Sequence, residues 1–509
     1  MWFTIFLVGA VVALVYHYFH NTYSYWERRH VPNERPLPLI GNMKGIGRTK
    51  HFRDVNQRIY DTFKGKTPIA GMFLFFKRAA FIIDLDFIKQ VLIKDFTVFH
   101  DRGVFSNVED DPLTGHLLTL EGDEWRSMRN KLSPVFSSGK IKHMSKVVVD
   151  VGRHLISVME TAVKAAAVDD GDVEIKEYCA RFTTDVIGSC AFGLECNSLN
   201  DPDAEFRKRG RMLFEQPRYS QLVTLFIFTN PKLAKKLHLK ALPDELSSFF
   251  LKAVRDTVDY RIKNGIKRND FLDQLIELKA ANEELAKQSK GIDLTLGLTI
   301  EQMAAQSLVF FVAGFETSSS TMAFCLYELA LHQDIQQRLR DEIETVLSGV
   351  ENQELTYDAI TQMTYLDKVL AETLRKYPIL SQLIREARQD YKFPESEFVI
   401  EKGTSVLIPV HNIHHDPELY PQPERFDPSR FDPELVKNRH PCAYLPFGDG
   451  PRNCIGLRFG KMQAKIGLIS LLRNFKFSAS KKTEIPLIFS KKTPTLSTEN
   501  GIYLKVERI

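Results

Sequence analysis

The residues with the clearest chemical potential lie near the C-terminus, in the stretch Pro446–Gly456, which reads PFGDGPRNCIG. Its cysteine, Cys454, sits in a loop rich in glycine, directly before the helical pattern of residues 457–475. A thiolate offered from such a loop is a suitable axial ligand for an iron whose other face stays free. Phe447 would limit water around the thiolate, and backbone N–H groups of the loop and the helix start would stabilise its negative charge.

The neighbours of this cysteine fit a flat, anionic ligand. Gly450 and Gly456 permit tight turning and a close approach of the backbone to a macrocycle, where a Cβ would collide. Arg452 can reach a carboxylate at the edge of that macrocycle. A lone cysteine before a helix is usually a structural one. Here five positions agree with Phe-x-x-Gly-x-Arg-x-Cys-x-Gly, and this pattern resembles the haem-binding loop of the cytochrome P-450 superfamily.

The resemblance implies a fold, a cofactor and an activity. The fold would be mainly α, the cytochrome P-450 fold, with a large helix-rich lobe and a smaller β-rich lobe. The cofactor would be haem b with an axial thiolate from Cys454, and the activity that of a haem-thiolate monooxygenase. The sequence of residues 101–126, DRGVFSNVEDDPLTGHLLTLEGDEWR, most resembles that of the insect microsomal branch of the family, which metabolises plant toxins and insecticides.

The longest helical pattern runs from Thr299 to Leu331 and begins with a capping-box sequence. Glycine inside a helix costs stability, so Gly314 at its centre needs a reason. Ala313 and Gly314 would leave room for a diatomic ligand on iron. The hydroxyl of Thr317 can disturb the helical hydrogen bonding and hold a water, while Glu316 can pass protons inward. Alone, the pattern favours close helix packing; with the cysteine loop, it resembles the family's oxygen-activation segment.

Two further groups of residues take their meaning from the resemblance. Trp125 and Arg129 are spaced for one helix face, which on its own indicates an amphipathic helix with exposed arginines. The resemblance implies that both hydrogen-bond the haem propionates, and that Arg385 is a further propionate ligand. Weaker candidates for the substrate cavity are the apolar residues Phe105, Phe310, Phe311 and Leu380.

Glu372 and Arg375 lie one helical turn apart, the spacing of an ordinary surface ion pair that contributes under ~1 kcal/mol. The resemblance implies instead a buried Glu-x-x-Arg pair that is locked by an arginine from a later loop. We assign that arginine to Arg425 within Pro423–Phe426, and its role would be structural. Loss of one member of such a buried network is strongly destabilising.

Residues 1–20 predict a transmembrane anchor, because Trp2–Phe19 is apolar and just long enough to cross a bilayer. A cleaved signal peptide is the alternative, and the aromatic end of the segment argues against it. Arg28, Arg29 and Arg35 place the remainder on the cytosolic side. Residues 21–45 predict a stiff, proline-rich linker, and 46–509 the haem-thiolate domain, with a β-hairpin over 67–83.

Composition excludes several classes of function. The 509 residues carry a formal charge of +4, which gives no argument for nucleic-acid binding. Six cysteines without a C-x-x-C pair support neither zinc nor disulfide frameworks and fit a reducing compartment. The chain also lacks a dinucleotide fingerprint, so electrons must come from elsewhere.

By resemblance, the electron donor is the NADPH–cytochrome reductase of the endoplasmic reticulum membrane, with cytochrome b5 as a further candidate. The other partners would be O2, an apolar small-molecule substrate and the lipid bilayer. Two alternatives stay open at this point. One is a haem-thiolate isomerase or dehydratase that acts on peroxides without a reductase, and the other is a non-enzymatic haem sensor.

Overall fold

The computed structural model describes residues 1–509 apart from 167–171, 217 and 289–297, and apart from the side chains of 214, 215, 221, 222, 225 and 281–288. The helices of the described residues are α1 (Trp2–Tyr23), α2 (Phe52–Phe63), α3 (Leu85–Lys89), α4 (Gly122–Leu132), α5 (Ser138–Ala166), α6 (Ile175–Ile187), α7 (Glu205–Glu215), α8 (Gln221–Thr229), α9 (Pro231–Lys236), α10 (Asp244–Asn264), α11 (Phe271–Gln288), α12 (Ile300–Leu331), α13 (Gln333–Ser348), α14 (Tyr357–Gln362), α15 (Thr364–Lys376), α16 (Val410–His414), α17 (Pro433–Asn438) and α18 (Leu457–Asn474). The strands are β1 (Ile69–Leu74), β2 (Lys77–Ile82), β3 (Asp172–Glu174), β4 (Leu383–Glu386), β5 (Tyr391–Lys392), β6 (Val399–Ile400), β7 (Ser405–Ile408), β8 (Phe475–Ser478) and β9 (Tyr503–Arg508). The mainly α prediction is confirmed.

The largest sheet has the strand order β1-β2-β7-β4 and forms the smaller, β-rich lobe. Strands β1 and β2 make the predicted antiparallel hairpin, β2 pairs with β7 in parallel, and β4 pairs with β7 antiparallel. The turn lies at Phe75 and Phe76, and Lys77 and Arg78 are paired within β2. Phe75 adopts a left-handed φ of 57° there, which the apolar pattern of the sequence does not reveal.

Helix α12 crosses the helix-rich lobe. Its 32 residues correspond to about 48 Å at the usual rise of about 1.5 Å per residue. Thr299 caps its first turn in the predicted capping box with Gln302. From Ser318 to Ala330 every residue is buried, because α12 packs against α6, α10, α15 and α18. The helix therefore fixes the position of any side chain in its middle.

Helix α18 fixes the loop that carries the cysteine. It begins at Leu457, directly after that loop, and packs against α5 and α12. A Cβ on Gly467 would lie 2.3 Å from Cε of Met322 on α12 and 2.8 Å from Cε1 of Phe182 on α6. The three helices thus approach closely at Gly467.

The N-terminal helix α1 extends four residues beyond the predicted apolar segment, to Tyr23, and none of its residues is buried. The stretch Trp2–Arg29 is long and apolar enough to cross a membrane, with a mean hydropathy of 1.8 in its most apolar window. Helix α12 passes the same test of length and composition, but 61% of its most apolar window is buried inside the protein. The exposure of α1 distinguishes it from such a core helix.

The segment after α1 packs on the sheet and is not the extended spacer that its prolines predict. Trp26 is 1% exposed, lies against Gly71 of β1 and donates its indole N–H to the carbonyl oxygen of Met72 at 3.1 Å. Asn33 then forms an isolated bridge with Gly71. The prediction gave weight to proline stiffness and missed the aromatic side chain that covers the sheet, so α1 joins the body through a buried contact.

Replacing Gly71 by alanine should destabilise the protein. The new Cβ would lie 2.3 Å from Cγ of Trp26, so the indole must move and lose its packing. We expect the free energy of unfolding in denaturant to fall by about 1–3 kcal/mol, the usual cost of overpacking. Gly349→Ala is the matched control, because its Cβ would meet only the Val346 carbonyl at 3.5 Å. Equal stability of the two variants would contradict the contact.

Candidate functional site

The cysteine loop is closed by hydrogen bonds between its own backbone groups. The Cys454 N–H donates to the Phe447 carbonyl at 2.9 Å, and the Asn453 N–H to the Gly450 carbonyl at 3.0 Å. Gly450 has a φ of +70°, and a Cβ there would lie 1.9 Å from the Leu92 carbonyl oxygen. The protein itself therefore requires glycine at this position.

Gly456 does not share that requirement. Its φ is −89°, and a Cβ would meet only Cε1 of Phe136, at 3.9 Å. The turn at Gly456 therefore needs no left-handed backbone, and open space lies beside this residue. Its backbone N–H donates to the sulfur of Cys454.

Cys454 differs from the other cysteines of the chain. The remaining five, Cys179, Cys190, Cys196, Cys325 and Cys442, are buried, whereas Cys454 is exposed. Cys454 is accessible to solvent, yet many protein atoms surround it, and this burial raises the pKa of its thiol. The Gly456 N–H and the charges of Arg129 and Arg102 act in the opposite direction. Cys454 is therefore the cysteine with both access and stabilising partners for a thiolate ligand.

The centre of α12 has two different faces. Ala313 is exposed to the interior space and Thr317 is partly exposed, and the Thr317 hydroxyl donates to the Ala313 carbonyl at 2.6 Å. Gly314 points elsewhere, since a Cβ on it would lie 2.3 Å from Cδ1 of Ile187 on α6. The expectation that Gly314 makes room for a ligand is wrong: it permits close packing of two helices.

Glu316 forms an ion pair that the sequence does not reveal. Its carboxylate lies 3.0 Å from Nζ of Lys176 on α6 and accepts a longer hydrogen bond from Ser320, at 3.4 Å. The side chain is 13% exposed. Thr183, also on α6, donates its hydroxyl to the carbonyl of Phe315 at 2.9 Å. Helix α6 thus holds this turn of α12, and Lys176 is a partner separated from Glu316 by 140 residues, which no local pattern could identify.

Four arginines lie close together beside the cysteine loop: Arg102, Arg129, Arg385 and Arg452. Burial, reinforced by neighbouring guanidinium groups, lowers the pKa of Arg452 to about 9 and that of Arg102 to about 10, and the pKa of Arg385 falls well below its usual value. Burial also lowers the pKa of Arg129. The Nε atoms of Arg385 and Arg452 are buried without a hydrogen-bond partner among the described residues. Such a cluster requires anions, because unpaired buried charge is costly.

The predicted edge residues belong to this cluster. Trp125 is 4% exposed and lies under the guanidinium of Arg452, with 4.3 Å between Cζ and the ring centre. Arg129 donates to the carbonyl and the side-chain oxygen of Asn453, at 3.0 and 2.9 Å. Arg102, which sequence reasoning missed, donates to the Arg452 carbonyl at 3.2 Å. A single arginine in a loop carries no signal of its own. The two carboxylates of a haem fit this arginine cluster.

Comparison with known proteins gives the family. The model of the family described as "Cytochrome P450" matches residues 31–506. The chain belongs to this family. Its fold is therefore the cytochrome P450 fold, and the members of the family are monooxygenases that bind haem through a cysteine thiolate. The chain is 68% identical to Drosophila melanogaster "Probable cytochrome P450 6a14" over 509 residues, 100% of each chain.

Two further relatives show the same coverage. Drosophila melanogaster "Probable cytochrome P450 6a13" is 53% identical over 501 residues, 98% of each chain. "Cytochrome P450 6A1" of Musca domestica is 45% identical over 510 residues, covering 100% of this chain and 98% of the relative. The resemblance to the insect branch, first indicated by residues 101–126, is confirmed by these relatives.

In this P450, Glu372 and Arg375 form a fully buried ion pair, as predicted from the family motif. Both side chains are 0% exposed, and two hydrogen bonds of 2.7 and 2.9 Å join them. Arg375 also donates to the carbonyls of His414 at 2.9 Å and Pro423 at 2.7 Å. Burial raises the pKa of Glu372 although Arg375 opposes this effect. The pair ties α15 to the loops that follow α16.

The assignment of Arg425 to this network is wrong. Arg425 is exposed, and only its backbone carbonyl contacts Arg375, at 3.5 Å. The guanidinium that approaches Glu372, at 3.4 Å, belongs to Arg430. The sequence contains Pro-x-Arg-Phe twice, at 423–426 and at 428–431. The second copy forms the 3-10 turn that packs against α15, so its arginine points at the buried carboxylate.

The candidate substrate-lining residues differ in their burial. Phe311 is 0% exposed and packs against Phe250, with 5.3 Å between ring centres, so its assignment is wrong and it belongs to the core. Phe310 is partly buried against Phe136. Phe105, 8% exposed, joins a small apolar cluster with Ile227 and Ala234. Leu380 is 47% exposed. Phe310 and Phe311 both pack against the core, but only Phe311 is fully buried, and a stretch of two phenylalanines does not reveal this difference.

The corrected network makes a direct prediction. Arg430→Leu should remove one cation from beside the buried Glu372 carboxylate and lower the free energy of unfolding by about 0.5–3 kcal/mol, the usual range for a destabilising substitution. Arg425→Leu is the matched control five residues earlier and should unfold like the parent. Chemical denaturation followed by circular dichroism measures both. A larger loss in the Arg425 variant would restore the original assignment.

Proposed function

We propose that this P450 inserts one atom of O2 into apolar small molecules, with electrons from NADPH through a separate reductase at the endoplasmic reticulum membrane. The observation that carries the proposal is the placement of Cys454. An accessible cysteine lies beside four arginines, of which Arg385 and Arg452 are buried. This arrangement fits a ring that is bound at its iron by sulfur and at its edge by guanidinium groups.

The roles of the haem-binding residues follow from the contacts of the chain. Cys454 would supply the thiolate that binds the haem iron, and the Gly456 N–H with Arg129 and Arg102 would stabilise its charge. The propionates would be held by Trp125, Arg129, Arg385 and Arg452, with Arg102 as an additional cation. Phe447 closes the loop over the sulfur through its carbonyl. When bound in this way, haem activates dioxygen so that one oxygen atom enters the substrate and the other leaves as water.

Proton delivery is assigned to Thr317 and Glu316 on the opposite side of the cavity. The Thr317 hydroxyl lies over exposed Ala313 and holds its proton toward that carbonyl. Released from this hydrogen bond, the hydroxyl can donate into the cavity. Glu316 can supply protons from the α6 side, where Lys176 keeps the carboxylate in place. The two residues are adjacent in sequence, and one faces the cavity while the other faces the outer ion pair.

The membrane and the partners are inferred from α1 and from the missing nucleotide site. An exposed apolar helix at residues 2–23 suits a single membrane anchor, with the body on the cytosolic face. The chain has no dinucleotide fingerprint, so NADPH–cytochrome reductase is the proposed electron donor and cytochrome b5 a second one. The resemblance to the insect branch supports xenobiotics, such as plant toxins or insecticides, or endogenous lipophiles as substrates.

Reconstitution tests this function. The purified protein in lipid vesicles with NADPH–cytochrome reductase should consume NADPH and O2 in the presence of an apolar substrate and release an oxygenated product. Conversion of a peroxide without reductase would favour the isomerase or dehydratase alternative. Haem binding without either reaction would favour a sensor. Cys454→Ser in the same assay provides the inactive comparison.

Cys454→Ser should also abolish the thiolate-type absorption spectrum of the reduced carbonyl complex, because serine does not supply a thiolate sulfur. The buried cysteine Cys442, in the 3-10 turn before the loop, offers the matched control. Cys442→Ser should keep the thiolate-type spectrum. A normal spectrum in the Cys454 variant would reject the ligand assignment.

Thr317→Ala should uncouple electron use from product formation. Loss of a positioned proton donor should lower product per NADPH by roughly 10²-fold, with hydrogen peroxide released instead. Thr321→Ala is the control, since Thr321 makes the same type of hydrogen bond one turn later, to the Thr317 carbonyl at 2.8 Å, but is buried. Peroxide release equal in both variants would remove Thr317 from the proton path.

A further inference from the structure

Asp101 is a buried carboxylate beside the arginine cluster, and it belongs to none of the motifs described above. It is 0% exposed. Its Oδ1 accepts the backbone N–H of Gly122, the first residue of α4, at 2.8 Å, and lies 3.6 Å from Nη2 of Arg452. Nδ1 of His100 is 2.6 Å from the same oxygen. One oxygen atom thus contacts the start of the helix that carries Trp125 and Arg129, and the side chain of the arginine in the cysteine loop.

The second oxygen of Asp101 faces the sheet. Oδ2 lies 2.8 Å from Nη1 of Arg388, an ion pair whose angle is not that of a hydrogen bond. The backbone reinforces this link, because the Glu386 N–H donates to the Asp101 carbonyl at 2.8 Å. Glu386 ends β4, which also carries Arg385. Asp101 therefore connects the three segments that bring arginines to the site.

The charges of the site give this carboxylate a specific role. The four arginines of the cluster, Arg102, Arg129, Arg385 and Arg452, would hold the two propionates of a haem b, which would leave two positive charges in excess. Among the described residues, Arg452 forms an ion pair with a carboxylate of the protein, that of Asp101. The other three arginines form no such pair there. A buried, fixed negative charge acts strongly on neighbouring groups, because little water screens it.

From these contacts we propose that Asp101 is a positioning residue for the haem: it orients Arg452 and the first turn of α4, and its negative charge lowers the reduction potential of the iron. The inference rests on the haem site proposed above. Removal of a negative charge near the iron favours the less positive ferrous state. The reduction equilibrium should therefore move toward ferrous when Asp101 is neutralised.

Asp101→Asn in the full-length holoprotein tests the proposal, since asparagine preserves the shape and removes the charge. We expect the equilibrium constant for ferric-to-ferrous reduction to rise about tenfold, ~59 mV for a one-electron couple. Haem transfer to an excess of a scavenging apoprotein should be at least about fivefold faster, because Arg452 loses its partner. Spectroelectrochemistry and the transfer kinetics measure these two effects without any turnover.

Glu386→Gln is the matched control. Glu386 belongs to the adjacent strand and also loses one negative charge, but it pairs with Lys77 at 2.6 Å and its side chain is 26% exposed. The reduction constant and the haem-transfer rate of the Glu386→Gln variant should stay within about twofold of the parent values, since water and Lys77 screen the lost charge. If both variants responded equally, the loss of net charge alone would explain the effect, and the positioning role of Asp101 would be overturned.

Arg388→Leu decides the question if the asparagine variant does not fold. Arg388 is 47% exposed, so its loss is tolerated more easily, and it leaves Asp101 without its outer cation. The reduction constant should then fall, opposite to the effect of Asp101→Asn. An unchanged or raised constant overturns the inference, as does an Asp101→Asn protein with parental values. A parent protein without a thiolate-type spectrum would instead overturn the haem site.

Discussion

Buried positive charge beside the cysteine loop is the constraint on which the rest of this P450 depends. Four guanidinium groups lie beside Cys454, and two of their Nε atoms lack hydrogen-bond partners among the described residues. Each unpaired buried charge costs several kcal/mol. Among the described residues, Asp101 is the buried carboxylate that pairs with this cluster. The folded state is therefore coupled to the binding of an anionic ligand, because a ligand that binds only the folded protein stabilises it by mass action.

The parts that the sequence predicts are those determined by near neighbours along the chain. The cysteine loop needs a left-handed glycine at 450, the start of α12 needs a capping box, and the β1–β2 hairpin needs two apolar runs of strand length. Each requirement involves residues within one turn or one hairpin, so it leaves a local pattern. The Glu372–Arg375 pair is similar, since both partners lie on α15. Burial of this pair came from the family motif.

The parts that the sequence does not predict depend on contacts between distant segments. Lys176 on α6 pairs with Glu316 on α12, and the side chain of Ile187 on α6 leaves no room for a Cβ at Gly314. Arg430 takes the place expected for Arg425 because the second Pro-x-Arg-Phe turn, and not the first, packs against α15. Phe311 lies in the core one position after the partly buried Phe310. In each case the identity of the residue was visible, but the direction of its side chain depended on a partner far away in sequence.

Versions of this enzyme that are shortened to remain in solution must keep residues that precede the family match. The match begins at residue 31, whereas Trp26 already covers Gly71 and hydrogen-bonds Met72. A protein that starts at Val31 would uncover the outer face of β1 and leave the Met72 carbonyl without its indole donor. A start at Ser24 removes α1 and keeps this aromatic cover. The apolar helix α1 and the catalytic body can thus be separated, but the cut lies seven residues before the family match begins.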